Sequence, residues 1–461
     1  MSSHNETRWS RKLGFTRAEL PGARNMQLAA LPAAFAGRHT AGVGKRLLGT
    51  PKQTVRDEIR ERTAQHVFEV LGSLRGCAAK LGQILALYPG GVPEEIAGPY
   101  REALARLQYA APPMLPAAVD AALTEYLGPD WRADFREFDD RHATAASIGQ
   151  VHRAIWRDGT PVAVKIRYPG VTESIESDLR QLRRVAHLVA VLLPGMDIEA
   201  LADEVCAGIR CELDYRCEAD NQRAFAENYR DDPEFVIPRV IDQHAGVLIT
   251  EWLEGEPLTT LLGRGEPSAS RDRLGTAIIR FCVGSVQRVG LIYCDPHPGN
   301  FLVLANGRVG VVDFGACPPP PSGIDDLLAA MLDAGLSGDP AGLDAMLRRY
   351  EFLRGDGEFD AAEFLRVLEP FRRIAVDPTT TFTSTWLRAR MSEGLNLRLT
   401  NVHRRLAMPP ELSGYCRMLL TLVAVLAQLE ATVAVGDIVA DHLPEFAAIR
   451  TALHPMTVRD N

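Results

Sequence analysis

Apolar residues from Val55 to about Leu87 recur every three or four positions, the spacing of one helical face. Thr54-Val-Arg-Asp57 gives that helix a capping-box-like start, and Pro89-Gly-Gly-Val-Pro93 ends it. Further helices are expected at 94–109 and 115–127. From about 136 the period shortens to two. Gly149–Trp156 and Pro161–Ile166 read as strands joined by the turn Asp158-Gly159. Residues 172–192 and 197–228 return to helical spacing, Val236–Val240 and Gly246–Glu251 are short strands, and the chain after Leu258 is mainly helical. One interruption stands out there. Phe301–Leu304 and Val309–Val312 flank Asn306-Gly307, a reversal expected to need positive φ at both turn positions. The pattern divides the chain into an arm at 1–53, a helical extension at 54–128, a small β-containing lobe with inserted helices at 129–255, and a helical lobe at 256–461.

Charge changes this picture at the N-terminus. The 461 residues carry 51 Lys and Arg against 59 Asp and Glu, a net charge of −8. Residues 1–53 hold nine Lys/Arg and two Glu, so the arm is +7 and the remainder −15. A basic arm on an acidic body can contact anionic lipid or nucleic acid, although its composition reads first as a solvated, partly disordered tail. There is no specific nucleic-acid signal. Eight cysteines occur without a C-x-x-C pair, and Cys206, Cys211 and Cys217 fall in one expected helix, a poor zinc geometry. They read as reduced, mostly buried thiols of a cytosolic protein. No signal peptide is evident. The longest apolar stretch, Met418–Val435, is interrupted by Gln428 and Glu430 and reads as a core helix rather than a membrane span. The expected location is cytoplasmic, peripheral to a membrane at most.

Candidate chemistry gathers around the late hairpin. Asp295-Pro-His-Pro-Gly-Asn300 precedes it and Asp313-Phe314-Gly315 follows it, so the reversal returns Asp313 to Asp295 and Asn300. D-x-x-x-x-N followed by D-F-G is the set that phosphoryl transfer from a magnesium–nucleotide complex requires. Asp295 would handle the attacking hydroxyl or water, and Asn300 and Asp313 would hold Mg²⁺. On Val162-Ala163-Val164-Lys165 the side chains alternate, so Ala163 and Lys165 share a face. Ala163 leaves room for a flat base, and the Lys165 ammonium reaches the phosphates. Such a lysine needs an acidic partner, and helix 197–228 offers Glu212, Asp214 and Glu218. Asp214 and Glu218 share a face, while Glu212 lies about 120° from Glu218. Glu218 is assigned to Lys165, leaving Glu212 and Asp214 for another cation. The stretch before the lysine strand, Thr144-Ala145-Ala146-Ser147-Ile148-Gly149-Gln150-Val151, occupies the place of a glycine-rich phosphate loop. Alanine allows close backbone approach without glycine's freedom, so a stiffer loop is expected. Glu251, closing its strand, is counted among the nucleotide contacts. His297 reads as a structural loop residue. Lys80 and Gln83, three apart, share one face of the first long helix. A small β-containing lobe, then a helical lobe, with the chemistry at their junction, is an α+β, bilobal, protein-kinase-like arrangement.

Together these segments resemble the UbiB-type atypical kinases, also called the AarF-domain family. The resemblance spans about 55–440 and rests on K-L-G-Q at 80–83, T-A-A-S-I-G-Q-V at 144–151, V-A-V-K at 162–165, E-L-D-Y at 212–215 with Glu218, C-D-P-H-P-G-N at 294–300 and V-D-F-G at 312–315. Thr144 departs from the family's usual alanine. The resemblance implies an N-terminal helical extension packed over the active-site cleft, with Lys80 and Gln83 regulatory and Glu212 and Asp214 holding Lys80. It implies a Mg²⁺-dependent ATPase, or a small-molecule or lipid kinase, binding ATP and ADP. It also implies partners among isoprenoid-quinone precursors or a membrane lipid surface. The alternative is a nucleotide-controlled lipid- or protein-binding switch with little turnover. An ordinary Ser/Thr kinase is disfavoured, because Ala316-Cys-Pro-Pro-Pro-Pro321 follows Gly315 and no A-P-E is recognisable.

Overall fold

The computed structural model describes residues 114–145, 148–173, 175–177, 179–180, 183, 198–353, 357–394, 406 and 409–457. The basic arm, the helices expected at 55–87 and 94–109, Lys80, Gln83, Ala146 and Ser147 lie outside the described residues, as do several positions of helix 172–192. The described residues between Thr172 and Asp203 belong to one compact unit, in which Arg183 Nε donates to Asp203 Oδ1 at 2.6 Å. The remaining described residues form a second unit, which carries everything discussed below.

The described chain runs α1 (Pro116–Leu127), β1 (Phe135–Ala145), β2 (Gly149–Trp156), β3 (Pro161–Arg167), α2 (Ile198–Leu213, whose first residues to Asp203 belong to the first unit), α3 (Tyr215–Asn228), β4 (Phe235–Val236), β5 (Val240–His244), β6 (Val247–Glu251), β7 (Gly255–Pro257), α4 (Leu258–Leu262), α5 (Ser268–Val289), β8 (Phe301–Leu304) and β9 (Val309–Val311). It continues with α6 (Ile324–Ser337), α7 (Pro340–Arg349), α8 (Ala361–Val376), β10 (Thr380–Thr381), α9 (Ser384–Gly394), α10 (Ser413–Leu429), β11 (Thr432–Val433), α11 (Val435–His442) and α12 (Pro444–Thr457). The fold is mixed α+β.

Five antiparallel strands form the first sheet, in the order β1-β2-β3-β6-β5. Val162, Val164 and Ile166 on β3 and Ala154 and Trp156 on β2 fill one face, packed with Val119, Ala122 and Leu123 of α1. Alternation therefore turns Ala163 and Lys165 to the other face. The second sheet, β4-β9-β8-β7, holds the late hairpin, with β4 parallel to β9. Beneath it an aromatic core joins Phe225 of α3, Phe281 of α5, Tyr293, Phe301 and Phe314.

Four expectations change. The helix expected over 197–228 is two helices, because Asp214 leaves helical geometry (φ −99°, ψ 99°) and caps α3, its Oδ1 accepting from Arg216 N at 3.0 Å. Cys211 and Cys217 are not free thiols; the break brings them to 6.2 Å between Cα atoms and they form a disulfide. The strand expected at Val236–Val240 divides into β4 and β5, which belong to different sheets. The late reversal forms, but positive φ is needed only at Gly307 (φ 82°), where Leu304 N bonds Arg308 O and Gly307 N bonds Leu304 O. The connection is thus a three-residue loop with glycine at its left-handed position. Among the described residues no helix is long and apolar enough to cross a membrane. In α10, Met418, Leu422, Val425 and Leu426 are buried.

Candidate active site

Lys165 stands on β3 opposite Val151 of β2 and Leu248 of β6. Its Nζ donates to Glu218 Oε1 at 2.7 Å and Oε2 at 2.8 Å, and lies 3.7 Å from Asp313 Oδ2. Glu218 comes from the buried face of α3 that also carries Tyr215, Gln222 and Phe225. It sits in the first turn, where the helix dipole favours an acid. Gln222 Nε2 donates to Pro238 O at 2.7 Å and fastens the helix to the segment before β5. Burial works against the Lys165 charge, but Asp313 and Glu218 outweigh it and hold the ammonium well above its ordinary value. Burial pushes the Glu218 carboxyl up, opposed by Lys165, with Asp313 adding to the rise. Two short bonds to one ammonium keep the pair ionic.

Asp313 takes a left-handed backbone, φ 68°, with its Oδ1 accepting from Gly315 N at 3.3 Å. This conformation is uncommon outside glycine and clusters at functional sites. Three bonds maintain it: Tyr293 Oη donates to Val312 O at 3.0 Å, Asn221 Nδ2 to Phe314 O at 2.9 Å, and Val312 N to Asn300 O at 2.9 Å. Phe314 is fully buried, its ring 4.8 Å from Phe225 and 5.7 Å from Tyr293.

The loop from Asp295 to Asn300 is held from both sides. Before it, Ile292 N and Cys294 N bond the carbonyls of Pro318 and Ala316 beyond Gly315. Inside it, His297 N bonds Asp295 O at 2.7 Å, and His297 Nδ1 accepts from Gly299 N at 3.1 Å. Asn300 Nδ2 donates to Asp295 O at 3.0 Å, which commits the amide nitrogen and leaves Oδ1 as the ligand-capable atom. Asp295 Oδ2 accepts from Arg417 Nη2 of α10 at 3.1 Å. Among the described residues no group of three or more His, Cys, Asp or Glu could hold a metal ion unaided. One carboxylate and one amide oxygen suit Mg²⁺, a hard cation that completes its shell with nucleotide phosphates and water.

Residues 106–347 match the family model described as the ABC1 atypical kinase-like domain. The chain belongs to this family. Among ABC1 relatives, the mitochondrial atypical kinase coq-8 of Caenorhabditis elegans is 29% identical over 413 residues, 87% of this chain and 53% of its own length. The chain thus spans about half of that relative. The mitochondrial atypical kinase COQ8B of Rattus norvegicus is also 29% identical, over 86% of this chain and 74% of its own. A solved ABC1-like structure, the complex of Rv3197 with erythromycin from Mycobacterium tuberculosis, is 34% identical, with a TM-score of 0.63 over 86% of this chain and all of that one.

Other expected site residues divide. Ala163 is half-buried on the Lys165 face, and Val151 pairs with Lys165 on the neighbouring strand. Thr144 and Ala145 pair with Val151 and Gln150, so the strand continues into what the sequence suggested was loop. Thr144 is exposed, whereas Ile148 is buried. Gly149 has a steric reason: a Cβ there would lie 2.1 Å from Ile166 O. Gln150 does not reach the Lys165 face. It is buried, its Oε1 accepting from Met114 N at 2.7 Å and its Nε2 lying 2.6 Å from His152 Nε2. His152 Nδ1 lies 2.7 Å from Asp139 O, so the neutral tautomer that donates to this carbonyl can accept from Gln150. The Glu251 carboxylate is held by Arg239 through its backbone N at 2.9 Å and Nε at 2.7 Å, and the Glu251 N donates back to Arg239 O at 2.9 Å. Asp214 is exposed and capping; the Glu212 side chain lies outside the described residues. Sequence reasoning missed Tyr293, Asn221 and Arg417. Asn221, one turn beyond Glu218, was open to the same face argument; Arg417 has no motif around it.

Proposed function

We propose that this protein is a Mg²⁺-dependent, ATP-using phosphotransferase or ATPase of the atypical kinase type, with the segment that carries Lys80 and Gln83 as a self-inhibiting cap. The reading rests on Lys165 lying within 4 Å of both Glu218 and Asp313, while Asn300 is tied to Asp295. Lys165 would take the α- and β-phosphates. Asp313 and Asn300 Oδ1 would hold the ion, whose charge neutralises the phosphate oxygens. Asp295 would accept a proton from the attacking hydroxyl or water. Catalysis of this kind is mostly positioning and charge neutralisation in a site with little water.

The acceptor belongs, on this reading, to isoprenoid-quinone or other lipid metabolism, with the protein peripheral to a membrane. The coq-8 and COQ8B relatives are named as mitochondrial atypical kinases, which supports the kinase type; the quinone or lipid acceptor follows from the family resemblance. ATP turnover by the purified chain should be measured alone, with anionic liposomes, with a quinone-precursor-like phenol, and with erythromycin, the ligand of the related structure. Stimulation by liposomes or phenol is expected. A rate indifferent to both would sink the lipid assignment.

A further inference from the structure

The loop Asp295-Pro-His-Pro-Gly-Asn300 contains no lysine or arginine, and His297 Nδ1 is spent on the Gly299 backbone. Yet a carboxylate that takes the acceptor's proton must be held in reach of the attacking group. We propose that Arg417 of α10 is the positioning residue for Asp295. The inference rests on the phosphotransfer reading above.

Arg417 Nη2 donates to Asp295 Oδ2 at 3.1 Å. The two side chains are 15% and 28% exposed, enough burial to lift the contact above a screened surface pair. One carboxylate oxygen is thereby held, its rotation is restricted, and Oδ1 is left to receive the acceptor's proton. The arginine is itself mounted on a rigid element. Tyr415, Met418, Leu422 and Val425 of α10 are buried in the core. The helix start packs closely on the loop: a Cβ at Gly414 would lie 3.2 Å from Cys294 Sγ, one residue before Asp295. A side chain 122 residues from Asp295 in sequence is thus delivered by packing.

Arg417→Met keeps much of the packing and removes the charge, while Arg417→Lys keeps the charge without the planar fork. With the full-length chain and MgATP, Arg417→Met should lower kcat about tenfold or more, with KM for ATP within about threefold of wild type. Arg417→Lys should recover part of that loss. Asp295→Asn should be nearly inactive, and adding Arg417→Met to it should change the residual rate little, because the arginine acts through the carboxylate. The proposal is overturned if Arg417→Met turns over ATP at the wild-type rate while Asp295→Asn does not. It is equally overturned if Arg417→Met costs the same factor in both backgrounds. If Asp295→Asn itself matches wild type, the phosphotransfer reading fails and the role of Arg417 falls with it.

Discussion

Lys165 and Glu218, 53 residues apart, are joined by two hydrogen bonds of 2.7 and 2.8 Å between β3 and the first turn of α3. The contact sets the distance between sheet and helix and places the ammonium beside Asp313. Breaking a buried pair from one side costs about 3–5 kcal/mol where the remaining charge has no partner, and Asp313, 3.7 Å from Lys165, keeps the cost below that here. Glu218→Gln should therefore lower the melting temperature and let Lys165 turn toward Asp313. Nucleotide affinity, read from ligand-induced thermal shifts, should weaken about tenfold or more. An unaltered shift would show that the pair does not prepare Lys165 for phosphate.

Gly149 lies where β2 crosses the Ile166 carbonyl. Adding a methyl group forces the two strands apart next to Lys165, and overpacking of this kind costs about 1–3 kcal/mol, occasionally more. Gly149→Ala should destabilise the fold by at least that amount in a denaturant titration. A variant as stable as wild type would mean the strands separate there at no cost.

Tyr293 connects the start of the Asp295 loop to the carbonyl just before Asp313. Tyr293→Phe removes the donor and leaves the part-buried Val312 carbonyl without it, a loss of about 1 kcal/mol, within the usual range for a hydrogen bond. Because Asp313 holds a left-handed backbone, the loosening should appear in kcat as well as in stability. Faster amide exchange at Asp313 and Phe314 is the direct readout, and unchanged exchange there would exclude this role.

His152 is buried and bonded as a neutral ring. Burial lowers its pKa below the ordinary 6.5, against the opposing influence of the Asp139 carbonyl and the Asp139 and Asp140 carboxylates. The unfolded chain then takes up a proton that the folded chain resists. The associated stability is fully present above pH 6.5 and is lost as pH falls from there through the lower folded value. His442, its pKa also lowered chiefly by burial, contributes in the same sense. Melting temperature should drop between about pH 7.5 and 5.5, and less steeply in His152→Gln. An equally steep drop in the variant would remove His152 from the explanation.

Much of the candidate site's geometry was legible because it is written in local patterns. Alternation on Val162–Lys165 placed Ala163 and Lys165 on one face, the acidic helix offered Glu218, and Asn306-Gly307 announced the reversal that returns Asp313. Periodicity failed at Asp214, since helical spacing continues on both sides of a residue that leaves the helix to cap the next one. It failed at Gln150 because nothing in the sequence states how far β1 extends, and pairing through Ala145 fixes which side chains of β2 enter the core. Cys211 and Cys217 looked unpaired for the same reason as the helix looked continuous. Arg417 was out of reach: its partnership with Asp295 depends on how α10 packs, not on any residue near either in sequence.

Phosphate release from saturating MgATP by wild type and by Asp313→Asn is the most direct trial of the Lys165–Asp295–Asn300–Asp313 site. The substitution preserves shape and removes the charge proposed to hold the ion, so the rate should fall about a hundredfold or more. A rate equal to wild type would contradict the site.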